Sequence, residues 1–143
     1  MNQFTIFYAD DDADDIEYFT DAVHDLLGEV DLHTHMQAEQ LIAALKNPPP
    51  SPEILFLDLN MPGKNGFQIL TELRNTEQFK ELPIVILSTS TDPATINKTR
   101  ELGASYYVPK PNSYTSLKQS IKTALNIDWQ NFSPSRDNFL HVN

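Results

Sequence analysis

The sequence predicts an α/β fold, a doubly wound parallel sheet of five strands with five helices on its two faces. Three observations predict it. Short β-prone or wholly apolar runs alternate with stretches whose apolar residues recur at helical spacing. Two runs, Ile54-Leu55-Phe56-Leu57 and Pro83-Ile84-Val85-Ile86-Leu87, are continuous, as strands buried on both faces are. Cap and turn residues punctuate most junctions. Such alternation implies parallel neighbours joined by right-handed crossovers.

Each element has its own signal. Phe4 to Ala9 is a strand that stops in acid. Ile16, Phe19, Val23, Leu26 and Leu27 share one face of a helix of about three turns, and Gly28 ends it. Val30 to His35 reads as a weaker strand. Leu41, Ile42 and Leu45 mark a short helix that stops before Asn47-Pro48-Pro49-Pro50-Ser51-Pro52, a run no helix or sheet centre tolerates. The third strand, Ile54 to Leu57, runs into the loop Asn60-Met61-Pro62-Gly63-Lys64-Asn65-Gly66, after which Phe67, Leu70 and Leu73 mark a third helix. Following the fourth strand, Asp92 suits an N-cap and Pro93 the first helical position. That helix carries Ile96, Thr99 and Leu102 and stops at Gly103. Ser105 to Val108 is the last strand, and Ser113 caps a final helix bearing Leu117, Ile121, Ala124 and Leu125.

No internal repeat is present. Residues 1–126 are expected to form one domain, and 127–143 a C-terminal tail rather than a second, effector domain. Trp129, Phe132, Phe139 and Leu140 stand out in that polar tail. They belong either to a loosely packed terminus or to a segment that covers an apolar patch or docks on another copy.

Composition narrows the function classes. A chain of 143 residues, 40% of them hydrophobic, supports one ordinary core. A formal charge of -10 argues against a nucleic-acid-binding surface and against attraction to anionic lipid. The absence of cysteine excludes disulfides, thiolate zinc sites and a cysteine nucleophile. No apolar run approaches the roughly 20 residues that span a bilayer. Met1-Asn2-Gln3-Phe4 lacks the basic start and apolar run of a signal peptide. The expectation is a cytoplasmic domain.

In such sheets, sites form beyond the carboxyl ends of the strands. Asp10, Asp11 and Asp12 follow the first strand, Asp58 the third, Ser88 and Thr89 the fourth, and Lys110 the fifth. Carboxylates gathered in one crevice repel unless a cation sits among them. All-oxygen ligands suit a hard ion such as Mg²⁺. A cation, an ammonium and a hydroxyl together stabilise the charge of a phosphoryl group in transfer, and an aspartate can be the nucleophile. The residues read as Mg²⁺-dependent phosphoryl transfer onto a carboxylate.

Four elements then resemble the receiver domains of two-component response regulators, the chemotaxis receiver type: Ala9-Asp10-Asp11, Leu57-Asp58-Leu59-Asn60-Met61-Pro62-Gly63, Ile86-Leu87-Ser88-Thr89 and Tyr107-Val108-Pro109-Lys110-Pro111. The resemblance runs from about Phe4 to Leu125. It implies the flavodoxin-like strand order 2-1-3-4-5, with Asp58 as the phosphoacceptor. Asp10 and Asp11 would hold Mg²⁺ (or Mn²⁺ as a substitute) with Asp58 and the Asn60 backbone carbonyl. Ser88 would contact the phosphoryl group, and Lys110 would pair with phosphate or with Asp58. Lys110-Pro111 matches the family's cis peptide, and Tyr107 the aromatic that swings inward as the hydroxyl residue moves. A histidine kinase or phosphotransfer protein would be the donor; either a downstream protein would read a face formed by roughly residues 92–125, or the chain would be an intermediate in a phosphorelay. Such a chain is a self-phosphorylating and self-dephosphorylating phosphoacceptor rather than a turnover enzyme, a monomer or weak dimer with no nucleic-acid or membrane partner.

Three features depart from the common pattern. Thr89 stands where a smaller residue is usual, Pro109 is expected to end the last strand early, and the prolines at 48–52 lengthen a connection. Asp12, Asp14 and Asp15 are read as helix-capping or solvated acids, and His24, His33, His35 and His141 as surface residues. Two other function classes compete. One is an interaction module that kept the fold and lost the chemistry. The other is a haloacid-dehalogenase-like phosphatase with Asp10 as nucleophile, which leaves Asp58 unexplained.

Overall fold

The computed structural model describes residues 4–47 and 51–142, so the chain start and Pro48-Pro49-Pro50 lie outside the described residues. In chain order the elements are β1 (Thr5–Ala9), α1 (Ala13–Leu27), β2 (Asp31–His35), α2 (Ala38–Lys46), β3 (Ile54–Leu57), α3 (Gly66–Arg74), β4 (Ile84–Ser88), α4 (Pro93–Glu101), β5 (Tyr106–Pro109) and α5 (Tyr114–Leu125). The strands form one parallel sheet in the order β2-β1-β3-β4-β5. The order reverses between β1 and β3, where the register pairs Ala9 with Leu57 and so brings the residues that follow them side by side.

The pleat divides the core in two. Phe7 and Ala9 of β1 pack with Leu41 and Leu45 of α2, Leu70 and Leu73 of α3, and Ile96 of α4. Ile6 and Tyr8 point the other way, into Phe19 and Val23 of α1 and Ile121 of α5. All of β1, β3 and β4 is buried, as the continuous apolar runs require. Helix starts are satisfied locally. Asp12 accepts from the Asp14 and Asp15 amides, Asp92 from Ala94 and Ser113 from Ser116. Asn65 and Gln68 form a reciprocal capping box at α3 that the sequence reading did not anticipate. Nor did it anticipate a 3₁₀ turn, Glu77–Phe79, which buries Phe79 and is too short to show a period.

Two expectations are corrected. Pro109 does not end β5 early: it pairs with Ser88, and the Lys110 amide continues the ladder to the Ser88 carbonyl at 2.7 Å. Alternate amides of β5 point to opposite sides, and Pro109 shares the side of Tyr107, away from β4, where its missing N–H breaks no sheet bond. The histidines are not all surface residues. His33 stacks on Phe7 with ring centroids 4.8 Å apart, and His141 is buried with its Nδ1 2.9 Å from the Tyr106 hydroxyl.

The tail packs on the domain. Trp129 and Phe132 meet Tyr106 edge-on, and Phe139 is buried in the core face that holds Tyr107. Leu140 forms a parallel bridge to Tyr107 on the outer edge of β5. Among the described residues, no helix is long and apolar enough to cross a membrane.

Candidate functional site

Three candidate side chains, Asp10, Asp58 and Lys110, each hang one residue past a strand, on a backbone still tied to its neighbour. The Asp10 amide donates to the His35 carbonyl at 3.0 Å, Asp58 to Ala9 at 2.9 Å and Lys110 to Ser88 at 2.7 Å. The ladder therefore holds the backbone of all three, and their side chains converge at the carboxyl edge of the sheet, beside the reversal of strand order. The loop carrying Asp58 is held from below. Gly66 donates to the Leu59 carbonyl at 2.8 Å, and a Cβ on Gly66 would lie 2.6 Å from the Leu59 Cα. Only glycine permits that approach.

Lys110 is the hub. Its Nζ donates to Asp10 Oδ2 and Asp15 Oδ2, each at 2.8 Å, and lies 3.6 Å from Asp58 Oδ2. Burial alone would pull the ammonium down, but the two hydrogen bonds and the nearby carboxylates outweigh it and hold it above the ordinary lysine range. Asp10 is fully buried, and both of its oxygens accept hydrogen bonds. Its Oδ2 also accepts from the Tyr8 hydroxyl at 2.5 Å, and its Oδ1 accepts from the Asp12 amide at 3.0 Å. Burial, then Asp10, push the Tyr8 hydroxyl far up, so it remains a donor.

Asp58 is different. It is 3% exposed, and its Oδ1 is buried without a hydrogen-bond partner. Burial and the Asp10 charge push its carboxyl up to about 7, while Lys110 and the Asn60 backbone amide pull the other way. Asp10, Asp11 and Asp58 each offer an oxygen within 4.8 Å of the others. Oxygen donors alone, a buried acceptor with nothing to accept and mutual repulsion suit a hard divalent cation. These residues fit Mg²⁺ or Mn²⁺.

The response regulator receiver domain model matches residues 6–122 of this chain. The chain belongs to that family. Among curated relatives, chemotaxis protein CheY1 of Helicobacter pylori (strain ATCC 700392 / 26695) is 30% identical over 73 residues, 51% of this chain and 59% of that protein. Response regulator Rcp1 of Synechocystis sp. (strain ATCC 27184 / PCC 6803 / Kazusa) is 30% identical over 73 residues, 51% of this chain and 50% of Rcp1. The chain thus spans about half the length of these curated relatives. Among solved structures, the phosphorylated cyanobacterial phytochrome response regulator RcpA superposes with a TM-score of 0.80 at 25% identity, over 93% of this chain and 98% of RcpA. The Mn²⁺-bound form of Rcp1 gives 0.78 at 21% identity, over 92% and 99%. The latter shares the fold with this receiver.

Placed in the receiver fold, the remaining candidates sit as follows. Asp11 is exposed at the mouth of the acidic cluster. Ser88 is buried at the end of β4, its Oγ accepting from the Ser90 amide at 3.2 Å. The Tyr107 ring is wholly buried, and its hydroxyl donates to the Ser90 carbonyl at 2.7 Å, so the ring points inward. Thr89 is exposed.

Two residues escaped the sequence reading. Asp15 does not cap α1; Asp12 does that. The Asp15 carboxylate instead turns back over the sheet edge onto Lys110. Its signal was its place in the first turn of a helix that starts at that edge. Tyr8 read only as part of an apolar run, although a buried tyrosine hydroxyl needs a partner and the first acid lies two residues on.

Proposed function

We propose that this receiver takes a phosphoryl group onto Asp58 from a histidine kinase or phosphotransfer protein, and signals through a phosphorylation-dependent change at its α4–β5–α5 face. The observation that carries the proposal is Asp58 itself. A buried carboxylate with an unpartnered Oδ1 stands 3.6 Å from a lysine ammonium and beside two further carboxylates.

Asp10, Asp11, Asp58 and the Asn60 backbone carbonyl would hold Mg²⁺, which supplies neutralisation of phosphoryl oxygens when bound. The chain's own groups do the rest. An Asp58 oxygen attacks phosphorus as the P–N bond to the donor imidazole breaks, and the leaving nitrogen takes up a proton. Lys110 contributes fixed positive charge beside the incoming oxygens, and the Ser88 hydroxyl donates to one of them. Transfer of PO₃⁻ onto the ionised carboxylate takes residue 58 from one negative charge to about two, now spread over three outward oxygens that can draw Lys110 and Ser88 toward them. The partner surface would include roughly residues 92–125, with Tyr107, whose ring is already inward here, closing on the space that Ser88 vacates.

Incubation with acetyl phosphate and Mg²⁺, followed by intact mass, tests the reading. The expected result is one added phosphoryl group, absent in Asp58→Asn and absent when EDTA replaces Mg²⁺. A folded chain that gains no mass supports an interaction module instead.

A further inference from the structure

The tail is tied to the residue proposed as the switch. On the outer edge of β5, the Tyr107 amide donates to the Phe139 carbonyl at 2.9 Å, and the His141 amide donates to the Tyr107 carbonyl at 2.8 Å. Both backbone groups of Tyr107 are thus held by the tail, as a neighbouring strand would hold them. The Phe139 ring is 1% exposed and lies 6.3 Å from the Tyr107 ring. Next to this clamp, the Tyr106 hydroxyl meets His141 Nδ1 at 2.9 Å, and Trp129 and Phe132 close on the Tyr106 ring.

The segment is also folded in its own right. Asn131 donates through its backbone and side chain to Asp128, at 3.1 and 2.6 Å. The Asn138 side chain joins the Ser133 carbonyl and the Ser135 amide, at 2.9 and 2.7 Å, and the Phe139 amide donates to the Ser135 carbonyl at 3.2 Å. Two internally bonded turns set the spacing at which Phe139 and His141 meet β5.

From the other side, the Tyr107 hydroxyl holds the Ser90 carbonyl, and the Ser90 amide holds Ser88 Oγ. A continuous run of contacts therefore joins the tail, Tyr107, Ser90 and Ser88. At the middle of that run is the Tyr107 ring, held inward by its hydroxyl. While Phe139 fills its slot, the ring is walled in and inward. Withdrawal of Phe139 would remove the buried ring that lies 6.3 Å from Tyr107 on this side.

We infer that residues 127–142 are a strap coupled to the phosphoacceptor through Tyr107, such that seating of the strap and phosphorylation of Asp58 favour each other. The inference rests on the receiver reading of Asp58. The seated strap holds Tyr107 in the inward position that the phosphorylated state would select, and a coupling of this kind is reciprocal. It also alters what a partner meets at this face. Phe139 and Leu140 join Ile96, Asn97, Arg100 and Arg136 around a groove of about 220 Å³, so the tail and α4 present the surface where a bare β5 edge would otherwise lie.

Amide hydrogen exchange at Tyr107 and His141, read by NMR on the full chain, tests the coupling. Mg²⁺ with beryllofluoride serves as the phosphoryl mimic, Mg²⁺ alone as reference, and intact mass after acetyl phosphate treatment is taken in parallel. Exchange at both amides should slow by at least about fivefold with the mimic. In the reciprocal arm, Phe139→Ala and His141→Pro should each need at least about fivefold more acetyl phosphate for the same phosphorylated fraction. The proline variant removes the tail N–H without emptying the Phe139 slot, and circular dichroism checks that both variants fold. Unchanged or faster exchange in a chain that does take up phosphoryl overturns the strap and leaves the receiver reading standing. A folded chain that takes up no phosphoryl group overturns both.

Discussion

Asp58→Asn should make the metal-free protein more stable at mildly alkaline pH. Asp58 is 3% exposed, and burial together with the Asp10 charge raises its carboxyl from 3.8 to about 7. A carboxyl whose pKa is higher folded than unfolded binds protons more readily when folded. Its ionisation therefore erodes stability as pH rises from about 4 through about 7, and the full cost stands above that window. At about 1.36 kcal/mol per pH unit, the raised pKa corresponds to an upper figure of ~4 kcal/mol. Asparagine keeps the size and removes the charge, but its NH₂ then needs acceptors, which returns ~1–2 kcal/mol. The net gain should be ~2–3 kcal/mol, or roughly 5–10 °C in melting temperature for a chain of this length. The assay is thermal denaturation of both proteins in EDTA, from about pH 4 to about pH 8. The gap should be widest at the alkaline end and close on acidification. Added Mg²⁺ should raise the wild-type midpoint more than that of the variant, because a ligand stabilises the state that binds it. A variant no more stable than wild type at the alkaline end would refute the view that Asp58 is held ionised against repulsion.

Three further outcomes follow from the same geometry. Lys110→Ala leaves the wholly buried Asp10 without its cationic partner, and should cost ~3–5 kcal/mol in denaturant unfolding as well as abolishing phosphoryl uptake. Tyr8→Phe keeps the ring stacked 4.0 Å from Phe19 but removes the donor to Asp10, so urea melts should show a loss of ~1.5–3 kcal/mol. Gly66→Ala forces a methyl against the Leu59 backbone; a loss of ~1–3 kcal/mol is expected, with slower uptake of phosphoryl from acetyl phosphate, because the loop that moves carries Asp58.

The architecture was legible because its signals are local and redundant. Ile54 to Leu57 and Ile84 to Leu87 can be little other than doubly buried strands, and Asp92-Pro93 and Ser113 mark helix starts that the structure places as expected. The convergence of Asp10, Asp58 and Lys110 followed from topology, since each comes directly after a strand of one parallel sheet, and Ser88 ends β4, the strand between β3 and β5. What escaped depends on where a side chain reaches across the fold. Asp15 and Asp12 look alike in sequence, but only the three-dimensional path of α1 decides that one caps the helix and the other meets Lys110. Pro109 was misjudged because a sequence does not show which amides of β5 face outward. The tail has no period at all. Its order comes from side-chain turns and from two backbone bonds to a strand edge, neither of which leaves a pattern along the chain.

The most direct test locates the phosphoryl group itself. The protein would be treated with acetyl phosphate and Mg²⁺, reduced with borohydride, which converts an acyl phosphate of aspartate to homoserine, and sequenced as peptides by mass spectrometry. Homoserine at position 58 alone is the predicted result. Homoserine at position 10, or unmodified aspartate at both positions in a folded protein, would contradict the assignment of Asp58 as phosphoacceptor.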